Sequence, residues 1–238
     1  MRKNILVISN KGGVGKTTVA VNLAYALMKD FKVGLLDADI HGPNVPKMLG
    51  IESEKPKTIE DKIVPIKIDN LYVMSVGFLT ENSNQPIIWR GPLKTKLLGQ
   101  FITDVNWPEL DFLIVDLPPG TGDETMTVMQ LLREHSFSVV VSTPQEVSMI
   151  DAEKAIGVSK KFGIPVIGLV ENMSGEVFGS GKIEDFAKEN NINFLGRIEL
   201  DKIITESSNK GKPFVSENNK ASKEFKSIVK KIIAQSNI

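Results

Sequence analysis

Short runs of aliphatic and β-branched residues alternate along the chain with longer stretches whose apolar positions recur every three or four residues. Ile5 to Ile8, Val33 to Leu36, Leu71 to Val76, Phe112 to Val115, Val139 to Ser142 and Val166 to Val170 read as strands. Ala20, Leu23, Ala24, Leu27 and Met28 predict a first helix. Leu93 to Val105, Thr125 to Leu132, and the series Val147, Ile150, Ala155, Val158 and Phe162 predict three more. Strands that are apolar throughout need cover on both faces, and helices between them supply it. The expected fold class is therefore α/β, a doubly wound, mostly parallel sheet with helices on both faces.

Residues 50–70 break this rhythm. They are rich in Lys, Glu and Pro and read as an exposed excursion or small hairpin. Near residues 219–235, Ala221, Phe225, Ile228, Val229, Ile232 and Ile233 form one stripe. Lys220, Lys223, Lys226, Lys230 and Lys231 cover the rest, which predicts a closing amphipathic helix. No internal repeat or low-complexity linker interrupts the chain, so the expectation is a single domain over residues 1–238.

Composition narrows the function. The 238 residues carry 29 Lys plus Arg against 29 Asp plus Glu, which removes the general basic footprint of a nucleic-acid binder, and none is expected as partner. With no cysteine, the chain has no disulfide, thiolate zinc site, Cys nucleophile or iron–sulfur cluster held by its own thiolates. Its two histidines, His41 and His135, rule out a His-rich metal site within one chain. The apolar runs are far too short to span a bilayer, and the basic start before Ile5 lacks the apolar length of a signal peptide, so a cytoplasmic location is expected.

The first strand leads into Asn10-Lys11-Gly12-Gly13-Val14-Gly15-Lys16-Thr17-Thr18 and then the first helix. Gly12, Gly13 and Gly15 let backbone N–H groups close around phosphate oxygens, and the helix N-terminus adds partial positive charge. Lys16 and Thr17 stand where a Lys reaches the β- and γ-phosphates and a hydroxyl reaches magnesium. The usual pattern begins with Gly; Asn10 replaces it here, a residue that tolerates left-handed backbone angles. Lys11 is a second lysine on the loop's outer arc, placed to reach a nucleotide held by another subunit.

Magnesium and the attacking water need carboxylates near the γ-phosphate. Asp116 ends an apolar strand, as a carboxylate holding magnesium through water would. Pro118-Pro119-Gly120-Thr121-Gly122-Asp123 follows, and Gly120 can offer a backbone N–H to the γ-phosphate. Asp37 and Asp39 follow the strand Val33 to Leu36, and Asp39 is placed to orient water. No Asn-Lys-x-Asp or Thr-Lys-x-Asp motif for guanine is present, which favours adenine, with Asn172 as the amide for a base edge.

Lys-Gly-Gly-Val-Gly-Lys-Thr with the extra Lys11 resembles the deviant phosphate-loop ATPases of the MinD and ParA class. More narrowly, Leu36-Asp37-Ala38-Asp39-Ile40-His41-Gly42-Pro43, Ile88-Trp89-Arg90-Gly91-Pro92, Asp116-Leu117-Pro118-Pro119-Gly120-Thr121-Gly122-Asp123, Ser142-Thr143-Pro144-Gln145 and Glu171-Asn172-Met173-Ser174 resemble the Mrp/ApbC iron–sulfur cluster carriers, from about Ile5 to Leu200. The resemblance implies a slow ATPase, a homodimer around two ATP molecules with Lys11 acting in trans, and cluster transfer to client metalloproteins. It implies Lys16 on the β/γ-phosphates, Thr17 on magnesium (Mg2+), Thr18 on the α-phosphate, Asp39 beside the attacking water, Asp116 in the magnesium shell and Asn172 on adenine. Gly12, Gly13, Val14, Gly15 and Gly120 complete the phosphate contacts.

Two departures stand out. The family's Cys-x-x-Cys segment is replaced by Gly175-Glu176-Val177, which joins Ser174 directly to Phe178-Gly179, and Glu199 stands where Pro is usual beside the base. The expected function is thus an ATP-dependent switch in iron–sulfur cluster assembly, without cluster ligation by this chain alone. A heteromeric partner that supplies the missing ligands fits the same reading. Metal insertion of the hydrogenase-nickel type and a MinD- or ParA-like positioning module are the alternatives. The closing helix is expected to pack on the sheet rather than to bind a membrane.

Overall fold

The computed structural model describes residues 1–79 and 91–236. Trp89 and Arg90 of the motif above lie outside them. The chain opens with β1 (Lys3–Ile8), α1 (Lys16–Leu27), β2 (Val33–Asp37) and α2 (Val45–Leu49). Three short strands follow, β3 (Lys57–Ile59), β4 (Lys62–Val64) and β5 (Ile66–Ile68), then β6 (Leu71–Ser75) and α3 (Gly91–Thr103). The second half alternates: β7 (Phe112–Asp116), α4 (Asp123–Leu131), β8 (Ser136–Ser142), α5 (Glu146–Lys161), β9 (Val166–Ser174), α6 (Lys182–Glu189), β10 (Phe194–Glu199), α7 (Lys202–Asn209) and α8 (Lys220–Gln235).

Eight strands form one sheet in the order β10-β9-β8-β1-β7-β2-β6-β5. All its neighbours are parallel except the β5–β6 pair. The expected excursion at residues 50–70 contains the β3–β4 hairpin, but its end, β5, is not an excursion. It adds an antiparallel edge to the main sheet, its Ile66 and Ile68 packing on the core.

Successive residues of β1 explain why it reads as continuously apolar. Ile5 and Val7 face a core that includes Leu23 and Leu27 of α1 and Phe225 and Ile228 of α8. Leu6 and Ile8 face a second core with Leu98 and Phe101 of α3, Met129 of α4 and Ile156 of α5. The two-residue period of the strand thus distributes one sequence run between two helical layers. The stripe of α8 is spent on the first core: Ala221, Phe225, Ile228, Val229 and Ile232 are buried, and Phe225 meets Phe214 edge to face at 5.4 Å. The apolar face that a membrane would have used is inside the protein. No helix among the described residues is long and apolar enough to cross a membrane.

Candidate nucleotide site

The parallel strands β1, β2, β7 and β9 end on the same edge of the sheet, and the sequence-predicted site residues gather there: Lys11 to Gly15, Asp39 and Gly120 on the turns, Lys16 to Thr18 in the first turn of α1, and Asp116 and Asn172 near the ends of β7 and β9. The register is specific: Val7 of β1 is paired with Asp116 of β7, and Asp116 with Asp37 of β2. One row across the sheet therefore delivers two carboxylates directly below the loop that follows β1.

That loop crosses residues 9–15 before α1 begins at Lys16. Gly13 and Gly15 have φ of 80° and 84°, a left-handed conformation that glycine adopts without penalty. Gly15 is the N-cap of α1 and has no side chain to occupy the helix's first N–H groups, which stay available to an anion. Lys11, Gly12 and Gly13 are exposed, while Val14 and Lys16 are buried. Asn10 does not use left-handed geometry, contrary to the expectation. Its φ is not positive, and its Nδ2 instead donates to Asp151 Oδ1 at 2.7 Å.

Beneath the loop, Lys16 Nζ lies 3.0 Å from Asp116 Oδ1, both side chains buried. Asp116 Oδ2 is also buried and has no hydrogen-bond partner. Burial pushes the Asp116 carboxyl above its ordinary pKa, while the charge of Lys16 and its hydrogen bond pull it down. Asp37 is fully buried too. It accepts from Ser75 Oγ at 2.8 Å and from the N–H groups of Asp39 and Val45 at 3.2 and 3.3 Å. Burial first and the charge of Asp116 second push its pKa up to about 8. Asp39 raises both neighbours further, so the three carboxylates form one electrostatic unit. Asp39 Oδ1 also accepts from the N–H groups of His41 and Gly42 at 3.1 and 3.3 Å, which shapes the turn after β2.

Gly120 has φ 86° and its N–H is donated to Ser9 O at 3.1 Å, so here it faces the phosphate loop's own backbone. Thr125 Oγ1 holds this turn through Gly120 O at 3.1 Å. A structural reset of one hydrogen bond would therefore be needed for Gly120 to meet a γ-phosphate.

Asn172, at the end of β9, donates its Nδ2 to Val14 O at 2.8 Å; its Oδ1 accepts no hydrogen bond among the described residues. A Cβ on Gly15 would collide with this amide, so glycine there serves close packing as well as its φ. Glu171 fixes Asn172 from behind. Fully buried, it accepts from Ser174 Oγ and from the N–H groups of Gly181 and Ile183, and it pairs with Arg197 at 3.3 Å. The shortened segment closes into a tight turn through reciprocal Gly175–Gly179 backbone bonds of 2.9 and 2.7 Å.

Beside the start of α1 opens a cleft of about 380 Å³, lined among others by Thr17, Thr18, Asn172, Glu199, Asp201 and Ser208. Its volume is within the ordinary range for small-molecule sites. Glu199 is tied by Lys220 Nζ at 2.6 Å, and Asp201 caps α7 by accepting from Ile203 N–H at 3.0 Å. The wall formed by α7 is absent from the sequence reading; Asp201 as an N-cap before Ile203 and Ile204 is the signal that marks it.

The residues fit a magnesium nucleotide. The loop is a cradle closed to side chains at Gly15, Lys16 can leave Asp116 for phosphate, and Asp116 Oδ2 is a buried acceptor awaiting a donor such as a metal-bound water.

Comparison with known proteins identifies the family. The profile of the family described as "ParA: NUBPL iron-transfer P-loop NTPase" matches residues 1–233. An iron–sulfur cluster carrier protein of Methanocaldococcus jannaschii is 48% identical over 245 residues, covering 98% of this chain and 84% of the relative. Among solved structures, a nucleotide-binding protein of Archaeoglobus fulgidus in complex with ADP superposes with a TM-score of 0.79 at 36% identity, covering 91% of this chain and 89% of that one. The septum site-determining protein MinD of Pyrococcus horikoshii, complexed with Mg-ADP, has the same fold: TM-score 0.79, 24% identity, 100% of both chains.

Proposed function

The chain belongs to the ParA/NUBPL family of iron-transfer P-loop NTPases, and from that premise we propose that it is a slow, dimeric ATP switch in iron–sulfur cluster assembly or transfer. The whole chain acts as one ATPase domain. The observation that carries the reading is the buried Lys16–Asp116 pair at the foot of the phosphate loop, with Asp116 Oδ2 unpartnered and the nucleoside-sized cleft alongside.

In this reading Gly12, Gly13, Val14 and Gly15 offer backbone N–H groups to the phosphates, Lys16 moves from Asp116 to the β/γ-phosphates, and Thr18 meets the α-phosphate. Thr17, and Asp116 through water, would hold magnesium, which neutralises phosphate charge when bound. Asn172 keeps its nitrogen on Val14 O and presents Oδ1 to the exocyclic amine of adenine. Asp39 orients the attacking water. Gly120 gives up Ser9 O for the γ-phosphate and returns when that phosphate leaves, which changes the dimer face. Lys11, exposed on the outer arc, completes the nucleotide pocket of the partner protomer.

The cargo side follows from composition. With no Cys in the chain and hard oxygen and nitrogen donors unsuited to iron sulfide, cluster ligands come from a client metalloprotein or a heteromeric partner. The test combines phosphate release with anaerobic reconstitution. The expected result is slow ATP hydrolysis lost in Asp39→Asn, with no stoichiometric iron and sulfide retained by the chain alone. Absence of hydrolysis by the unaltered protein, or a full cluster on it without a partner, overturns the proposal.

A further inference from the structure

The sequence position where phosphate loops usually begin with glycine carries Asn10, and the structure gives its side chain a specific target. Asn10 Nδ2 reaches Asp151 Oδ1, 141 residues away on α5, at 2.7 Å. Because the φ of Asn10 is ordinary, this position uses its side chain and not backbone freedom. Asp151 sits on a fixed post. Ser142 Oγ donates to Ser148 O at 2.9 Å and Thr143 Oγ1 shares a 2.8 Å hydrogen bond with Ser148 Oγ, which bolts the start of α5 to the end of β8. Ala152, Ala155 and Ile156 then bury the helix against the sheet.

Asn172 holds the far end of the loop at Val14 O, but the support at its mouth is less permanent. Ser9 O is held by Gly120 N–H at 3.1 Å, and a Cβ at Gly120 would stand 3.8 Å from Asn10 O. If Gly120 turns to a γ-phosphate, that support is withdrawn at the moment the loop must keep its shape. The Asn10–Asp151 bond then remains as the side-chain link from the loop to a packed helix.

We infer that Asn10 and Asp151 are positioning residues: their hydrogen bond tethers the mouth of the phosphate loop to α5 and holds its donors and Lys11 on target while the Gly120 turn moves. The inference rests on the ATPase reading above. A loop that drifts by a fraction of an ångström loses transition-state contacts more than ground-state affinity, so the tether belongs to kcat and not to nucleotide binding.

The test is steady-state ATP hydrolysis with magnesium, together with ATP binding by calorimetry, on Asn10→Ala, Asp151→Leu, Asp151→Asn and the Asn10→Ala/Asp151→Leu pair. Both residues are partly exposed, and circular dichroism melts confirm that each variant is folded. Asn10→Ala and Asp151→Leu are expected to lower kcat about tenfold with KM and binding within about twofold. Asp151→Asn keeps an Oδ1 acceptor and retains wild-type kcat. The double variant is no worse than either single one, as two ends of one bond require. Unchanged kcat in both single variants, additive losses in the pair, or failure of Asp151→Asn to preserve turnover overturns the tether while leaving the ATPase intact. A wild-type chain that neither binds nor hydrolyses ATP overturns the ATPase reading, and this inference with it.

Discussion

Asp116 and Asp37 were both visible in the sequence as carboxylates ending apolar strands, but their relation was not. Nothing in the order of residues says that β2 and β7 pair so that Asp37 and Asp116 share a row; parallel register is a tertiary fact. Its consequence is electrostatic. The pKa of Asp37 rises from 3.8 unfolded to about 8 folded, so the native state holds an extra proton between these values. Stability then falls as pH rises through this window. Thermal melts of the nucleotide-free protein should show the midpoint declining from pH 5 to pH 8.5, with a shallower decline in Asp37→Asn; an equal slope would remove Asp37 as the source. Lys16 is the counter-ion of the row. Lys16→Met leaves a buried carboxylate unpaired and should cost about 3 kcal/mol in urea unfolding at pH 8, in addition to the loss of nucleotide binding. Asn10 shows the limit of reading one position alone. Its substitution for glycine was legible, but its partner Asp151, far along the chain, was not.

Short apolar strands and helices with a long, strongly periodic stripe were readable, and the shortest helices were not. The helix predicted at 219–235 is α8, Lys220–Gln235, because five of its stripe residues enter one core. Phe225→Ala should destabilise by about 3–5 kcal/mol, whereas Lys226→Glu on the solvated face should stay within about 0.5 kcal/mol; chemical denaturation compares them directly. By contrast α2 has five residues and α6 and α7 eight each, too few for a period to declare itself. The strand β10 is broken by Gly196 at φ 151° and by register shifts against β9, which erase its alternation. Yet α2 and α7 wall the cleft. They approach through Gly50 and Gly211, where a Cβ on Gly211 would collide with the Gly50 backbone. Gly211→Ala, at φ 67°, should cost about 1–3 kcal/mol and weaken ATP binding several-fold by splaying the two helices. Wild-type affinity in that variant would show that the cleft does not hold the base.

The whole molecule gathers four strand ends into one edge, so the fold class and the phosphate-loop residues followed from local pattern while the site's walls depended on strand order. At this scale the proposed trans role of Lys11 is what would separate a switch from a simple nucleotide binder. It is exposed on the loop, and under the proposed trans role Lys11→Ala should leave ATP binding within about twofold while a non-hydrolysable ATP analogue dimerises the wild type and not the variant, as read by sedimentation velocity. The most direct measurement is titration calorimetry of magnesium ATP into the wild-type chain and into Lys16→Ala. Saturable binding of one nucleotide per chain that vanishes in the variant is the predicted result; no heat with the wild type, or the same isotherm from both proteins, would contradict a triphosphate seated between Lys16 and Asp116.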